Sequence, residues 1–117
     1  MEREKLQVIE DVMQYIEGTV GIISRSIEYL RNGEVQLGYQ HIDNICQRLG
    51  QIIDVLHSTV DQEHINITEI NGIIKEMFEA MENQDYVLLA DIIEFELKDK
   101  LDEWNKVLRE YQVLNNK

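Results

Sequence analysis

Between Leu6 and Leu30 the apolar residues Leu6, Ile9, Met13, Ile16, Val20, Ile23, Ile27 and Leu30 recur in alternating steps of three and four. Side chains at that spacing lie one above another on a helix, so the row predicts one buried stripe. A second row, Val8, Tyr15, Ile22 and Tyr29, runs beside it at intervals of seven. The combined face is wider than a two-stranded seam and needs two neighbours to cover it. The row therefore predicts a helix over about 4–31 in a bundle.

The same pattern predicts three more helices. Arg31-Asn32-Gly33-Glu34 supplies a basic last turn, residues that tolerate a left-handed backbone, and an acid to open the next helix. The second helix is expected over 34–60, with Val35, Ile42, Ile45, Leu49, Ile52 and Leu56 inward, and Gly38 and Gly50 marking close approach to a neighbour. Asp61-Gln62-Glu63-His64 reads as a loop, and Asn66 followed by Glu69 as a capping box that starts a third helix over 66–83. Its inward residues are expected to be Ile70, Ile73, Ile74, Met77, Phe78 and Met81. Asp85 is the expected N-cap of a fourth helix over 86–114, whose core row is Tyr86, Ala90, Ile93, Leu97, Leu101, Trp104, Leu108 and Tyr111. A step of four from Leu97 to Leu101, where three was due, marks a stutter. The final Asn115-Asn116-Lys117 is expected to fray. The predicted fold is a single domain over 1–117, an all-α antiparallel four-helix bundle, up-down-up-down, with short loops.

Composition agrees with long helices: the chain has no proline and only six glycines. No apolar run approaches the 18 or so residues of a membrane span, and the charged start does not read as a signal peptide, so a cytoplasmic location is expected. The sequon Asn66-Ile67-Thr68 then reads as a helix start. The single cysteine, Cys46, between Ile45 and Leu49, is read as a core residue. Net charge is −12, spread along the chain. Such a surface repels phosphate backbones and anionic lipid, so neither nucleic acid nor membrane is expected as a partner; a basic protein segment suits it better.

Catalytic and metal chemistry find little support. A di-iron carboxylate bundle needs Glu-x-x-His pairs, and the sequence has none. Asp54 and His57 share a helix face but supply only two ligands, while His41 and His64 lie elsewhere. There is no glycine-rich phosphate loop, Cys-x-x-Cys or nucleophile elbow. No catalytic residues, cofactor or metal are expected, and the chain does not read as an enzyme.

One segment departs from the amphipathic rule. Residues 85–97, Asp-Tyr-Val-Leu-Leu-Ala-Asp-Ile-Ile-Glu-Phe-Glu-Leu, are apolar around most of the helix circumference. Leu88, Ile92 and Phe95 point away from the core row, with Val87 and Glu96 near them, and a four-helix bundle has no central position that would cover both sides. Val87, Leu88, Ile92, Phe95 and Glu96 are therefore the expected partner-binding residues. Glu96, inside an apolar arc, would need a cation or hydrogen-bond partner if buried, with Arg25, Arg31 and Arg48 as the candidates. This same segment resembles one found in small helical proteins of Firmicutes; the resemblance covers about a quarter of the chain and implies no activity or functional residues. In size, acidity and helical form the chain is also similar to flagellar export chaperones, a likeness of fold class alone. The expected function is a non-enzymatic interaction, adaptor or chaperone-like bundle that self-associates or grips a helical or basic protein segment. The alternative is an acidic inhibitor that mimics nucleic acid at a basic site.

Overall fold

The computed structural model describes residues 3–60 and 64–115. Asp61-Gln62-Glu63 of the expected loop, and Asn116 and Lys117 of the expected frayed end, lie outside them. Helix α1 spans Arg3–Arg31, α2 Val35–Thr59 and α3 Glu69–Glu82. A fourth rod runs as α-helix α4 (Tyr86–Ile92), a π-helical segment (Ile93–Lys98) and α-helix α5 (Asp99–Asn115). Among the described residues there is no strand, and no helix is long and apolar enough to cross a membrane. The bundle measures 49 × 21 × 19 Å.

Cross-helix contacts give the directions. Ser26 meets Gly38 and Thr19 meets Arg48, so α2 descends along α1. Arg31 meets Asp91 and Asn105 meets Met13, so the fourth rod also descends along α1. Glu69 at the start of α3 meets Lys100, so α3 ascends. The order is up-down-up-down, as the periodicity implies.

The core row of α1 is buried as expected at Ile9, Met13, Ile16, Ile23, Ile27 and Leu30. The structure adds a row that hydrophobicity did not show: Val12, Thr19 and Ser26, seven apart, are also buried and face α2. Their small size lets the helices close. Ser26 Oγ donates to the Gly38 carbonyl at 3.3 Å, and a Cβ on Gly38 would sit 2.8 Å from Leu30 Cδ2. Gly38 thus does mark close approach, but Gly50 is exposed with nothing within 4 Å. Lower on the same seam, the Arg48 guanidinium lies 3.8 Å from the Tyr15 ring centroid. Its Nε donates to Thr19 Oγ1 at 2.8 Å and its Nη2 to the Tyr15 carbonyl at 2.9 Å. A cation laid on an aromatic face while its donors reach the facing helix fastens α1 to α2.

Two helix ends share one solution. Glu34 N–H bonds the Tyr29 carbonyl with Gly33 at φ 79°, and Asp85 N–H bonds the Ala80 carbonyl with Gln84 at φ 54°. Both are Schellman ends, and the first uses the glycine that the sequence offered for it. The expected capping box does not form. Asn66 Oδ1 instead accepts from the N–H and hydroxyl of Thr68, an Asx turn, while Glu69 is drawn to Lys100. Helix α3 accordingly starts at Glu69, three residues later than expected. The link from α2 to α3 is longer than the short loop predicted, and Val60 and Ile65 within it reach the core. Phe78, expected inward, is exposed, because Ile73, Met77 and Ala80 take the buried side of the short α3. Cys46 is only half-buried against the core, and burial, then Asp43, pushes its thiol up, away from a reactive thiolate.

The π segment has a cause in the sequence. Leu89, Ile93, Leu97 and Leu101 are all fully buried, yet they succeed one another in steps of four. In a regular α-helix each step of four overshoots a turn by about 40°. Over three steps the row would rotate out of the core. Wider turns closed by i→i+5 bonds absorb the excess, and so the irregularity read at Leu97 and Leu101 becomes a π bulge spanning Ile93–Lys98.

Candidate functional site

Asp85 caps α4 as the sequence predicts, its Oδ1 accepting from the Leu88 N–H at 3.1 Å. The rod beyond it lies between two neighbours, with α1 on one flank and α3 on the other. Leu89, Ala90, Ile92, Ile93 and Leu97 are buried between them. What remains outside is a strip that is apolar at Val87, 76% exposed, Phe95, 62%, and Leu88, 47%, with the half-exposed carboxylate of Asp91 one turn from each of them. Because the opposite side of the same helix is fixed in the core, these side chains cannot rotate inward without exposing others.

The strip is narrower than the sequence suggested. Ile92 is 4% exposed and belongs to the core, so it leaves the expected set. The helical wheel gives its direction but not how far α3 wraps around that flank. Glu96 is exposed, so the burial that would have required a cation is absent, and Arg25, Arg31 and Arg48 form no ion pair with it. Arg31 instead holds the α1 flank, reaching Glu94 Oε1 at 2.9 Å and Asp91 Oδ1 at 3.1 Å. Hydrogen bonding to Arg31 holds the Glu94 carboxyl below its usual range, and the same bond raises the Arg31 guanidinium. Arg48 is committed to the α1–α2 seam. Arg25 is exposed.

Glu96 faces another acid. Partial burial, and then Glu76 of α3 within hydrogen-bonding reach, push its carboxyl above the usual range. A carboxyl raised in the folded state contributes stability below its unfolded pKa, and loses it as pH rises through the raised value. Glu96→Gln is therefore expected to raise the melting temperature at pH 7, by about 0.5 kcal/mol of stability if Glu76 and Glu96 behave as an exposed like-charge pair. The gain should vanish near pH 4, and thermal melts across that interval measure it. An equal gain at both pH values would remove repulsion as its cause.

The other residues considered for chemistry lie in different parts of the bundle from the strip. His41 sits against Tyr29, its Nδ1 2.9 Å from the Leu37 carbonyl, and His64 is edge-on to Tyr111. His57 is exposed on α2. Among the described residues no three of His, Cys, Asp and Glu gather closely enough to hold a metal ion. Sequence reasoning missed the Glu76–Glu96 apposition, since the two residues lie on different helices and nothing in either segment signals the other.

No curated protein and no solved structure matches the chain. A family model does, described as a domain of unknown function, DUF8042, over residues 7–107. The match runs from the first turns of α1 through the π segment into α5, far beyond the quarter of the chain that carried the resemblance noted in the sequence. The chain belongs to the DUF8042 family.

Proposed function

We propose that this bundle is a non-enzymatic protein-binding module that seats a basic, amphipathic helical segment of another protein on the outward strip of α4 and the π segment. The observation that carries the reading is the exposure of Val87, Leu88 and Phe95 on a helix whose inward side is fully buried. Leu88 and Phe95 lie about two turns apart on one side of the helix, with Val87 beside Leu88. Acids supply the charge preference: Asp91 stands among the apolar residues, Asp85, Glu76 and Glu96 are near them, and the whole chain carries −12. A second copy would bring the same negative rim against this one, whereas a helix with lysine or arginine beside its apolar stripe is complementary. A reducing cytoplasm suits the free thiol of Cys46.

The test uses two synthetic helical peptides with one leucine face, one flanked by lysine and one by glutamate. The lysine peptide is expected to bind, and Leu88→Asp with Phe95→Asp to weaken it at least about 30-fold, the scale of a central interface residue, without lowering the melting temperature. Equal binding of the double variant would defeat the reading. So would binding that disappears at physiological salt and ignores the double variant, the behaviour of an acidic nucleic-acid mimic. A dimer that the double variant dissolves would assign the strip to self-association instead.

A further inference from the structure

A second site lies at the other end of the bundle. Between α1 and α2 runs an open groove of about 290 Å³, lined by Val8, Val12, Tyr15, Ile52 and Val55. Asp11 and Gln51 stand at its polar rim. Asp11 Oδ1 accepts from the neutral Gln7 amide at 3.0 Å, and among the described residues no lysine or arginine forms an ion pair with it. Tyr15 donates its hydroxyl to Gln51 Oε1, so the groove's own phenol is already satisfied. Arg48, the cation stacked on Tyr15, is turned to the Thr19 hydroxyl and the Tyr15 carbonyl. The groove therefore combines an apolar trough with one carboxylate that no lysine or arginine among the described residues pairs with. Its volume falls at the small end of ligand sites.

From this arrangement we infer that the α1–α2 groove binds a small amphiphilic cation, an aliphatic or aromatic body in the trough with its amine or guanidinium on Asp11. The site is separate from the strip on α4. Asp11 and Arg31, which flank the two, are twenty residues apart on α1, roughly 30 Å along the axis and about 200° around it. A ligand in one does not cover the other, and the inference stands or falls independently of the proposed function.

The probes are n-octylammonium and octanoate, monitored through amide chemical shifts in the full chain. Octylammonium is expected to give saturable shifts at Val8 and Val55 and to bind at least about tenfold more tightly than octanoate. Shortening it to hexylammonium should weaken binding by up to about fourfold per methylene removed. Asp11→Asn should remove most of the preference for ammonium over carboxylate. Val8→Trp fills the trough without changing net charge, and Val8 is exposed enough to accept it; with the helical circular dichroism unchanged, it should abolish the shifts. Octanoate binding as well as the amine, shifts that persist in Val8→Trp, or no saturable shift from either probe would each overturn the inference. Leu88→Asp with Phe95→Asp is expected to leave amine binding intact.

Discussion

Deleting Glu96 should leave the protein folded, with a melting temperature within about 5 °C of the parent, whereas deleting Asp102 should unfold it. The two deletions remove one exposed acid each from the same rod. They differ in how they shift the buried row. Leu89, Ile93, Leu97, Leu101, Trp104 and Leu108 advance in steps of four, four, four, three and four. Without Glu96 the steps become four, three, four, three and four, a pattern that a straight α-helix holds on one stripe. The π segment then has no excess residue to absorb, and Leu101, Trp104 and Leu108 keep their places. Without Asp102 the same three-residue step becomes two, and Trp104 and Leu108 turn by about 100° out of the core. Emptying two such sites costs about 3–5 and 2–5 kcal/mol by the large-to-small series, comparable to the entire stability of a domain this size. Circular dichroism with urea titration checks both. If the Glu96 deletion unfolds the chain, the π turn is required by something other than register.

The second large effect concerns the fastening at the α1–α2 seam. Arg48→Leu is expected to cost about 2–3 kcal/mol, since it removes two hydrogen bonds from a charged donor and the contact with the Tyr15 ring. Gly18 makes that contact possible: a Cβ there would lie 2.8 Å from Arg48 Nη2. An arginine tip can usually move aside at little cost, but this one is held by Thr19, the Tyr15 carbonyl and the Tyr15 ring. Gly18→Ala should therefore destabilise the parent by about 1 kcal/mol, even though alanine is the better helix former by a similar amount. In the Arg48→Leu background the obstruction is gone, and the same substitution should stabilise by up to about 1 kcal/mol. A double-mutant cycle in urea measures the reversal. Stabilisation by Gly18→Ala in both backgrounds would show that the guanidinium is not held.

Much of the architecture was legible because helix formation and the choice of a buried side are written locally. The heptad row from Leu6 to Leu30, the left-handed Gly33, the Asp85 cap and the row from Tyr86 to Tyr111, whose two end tyrosines are only half-buried, all depend on residues within a turn or two of one another. Where the sequence misled, the deciding partner lay on another helix. Thr19 and Ser26 are buried because α2 needs small residues there, and their hydroxyls are satisfied across or along the seam. Asn66 reads as half of a capping box until Lys100, thirty-four positions on, draws Glu69 away.

The candidate strip divides in the same manner. Its existence is dictated by the sequence: residues 85–97 hold more apolar side chains than one side of a helix can bury, so some must face outward. Which ones do so was settled only by tertiary packing. Ile92 is buried between α1 and α3, Arg31 of α1 covers the flank at Glu94, and Val87, Leu88 and Phe95 stay exposed. Periodicity fixes the direction of each side chain about its own axis; the arc that other helices shield is a property of the assembled bundle, and no single segment encodes it.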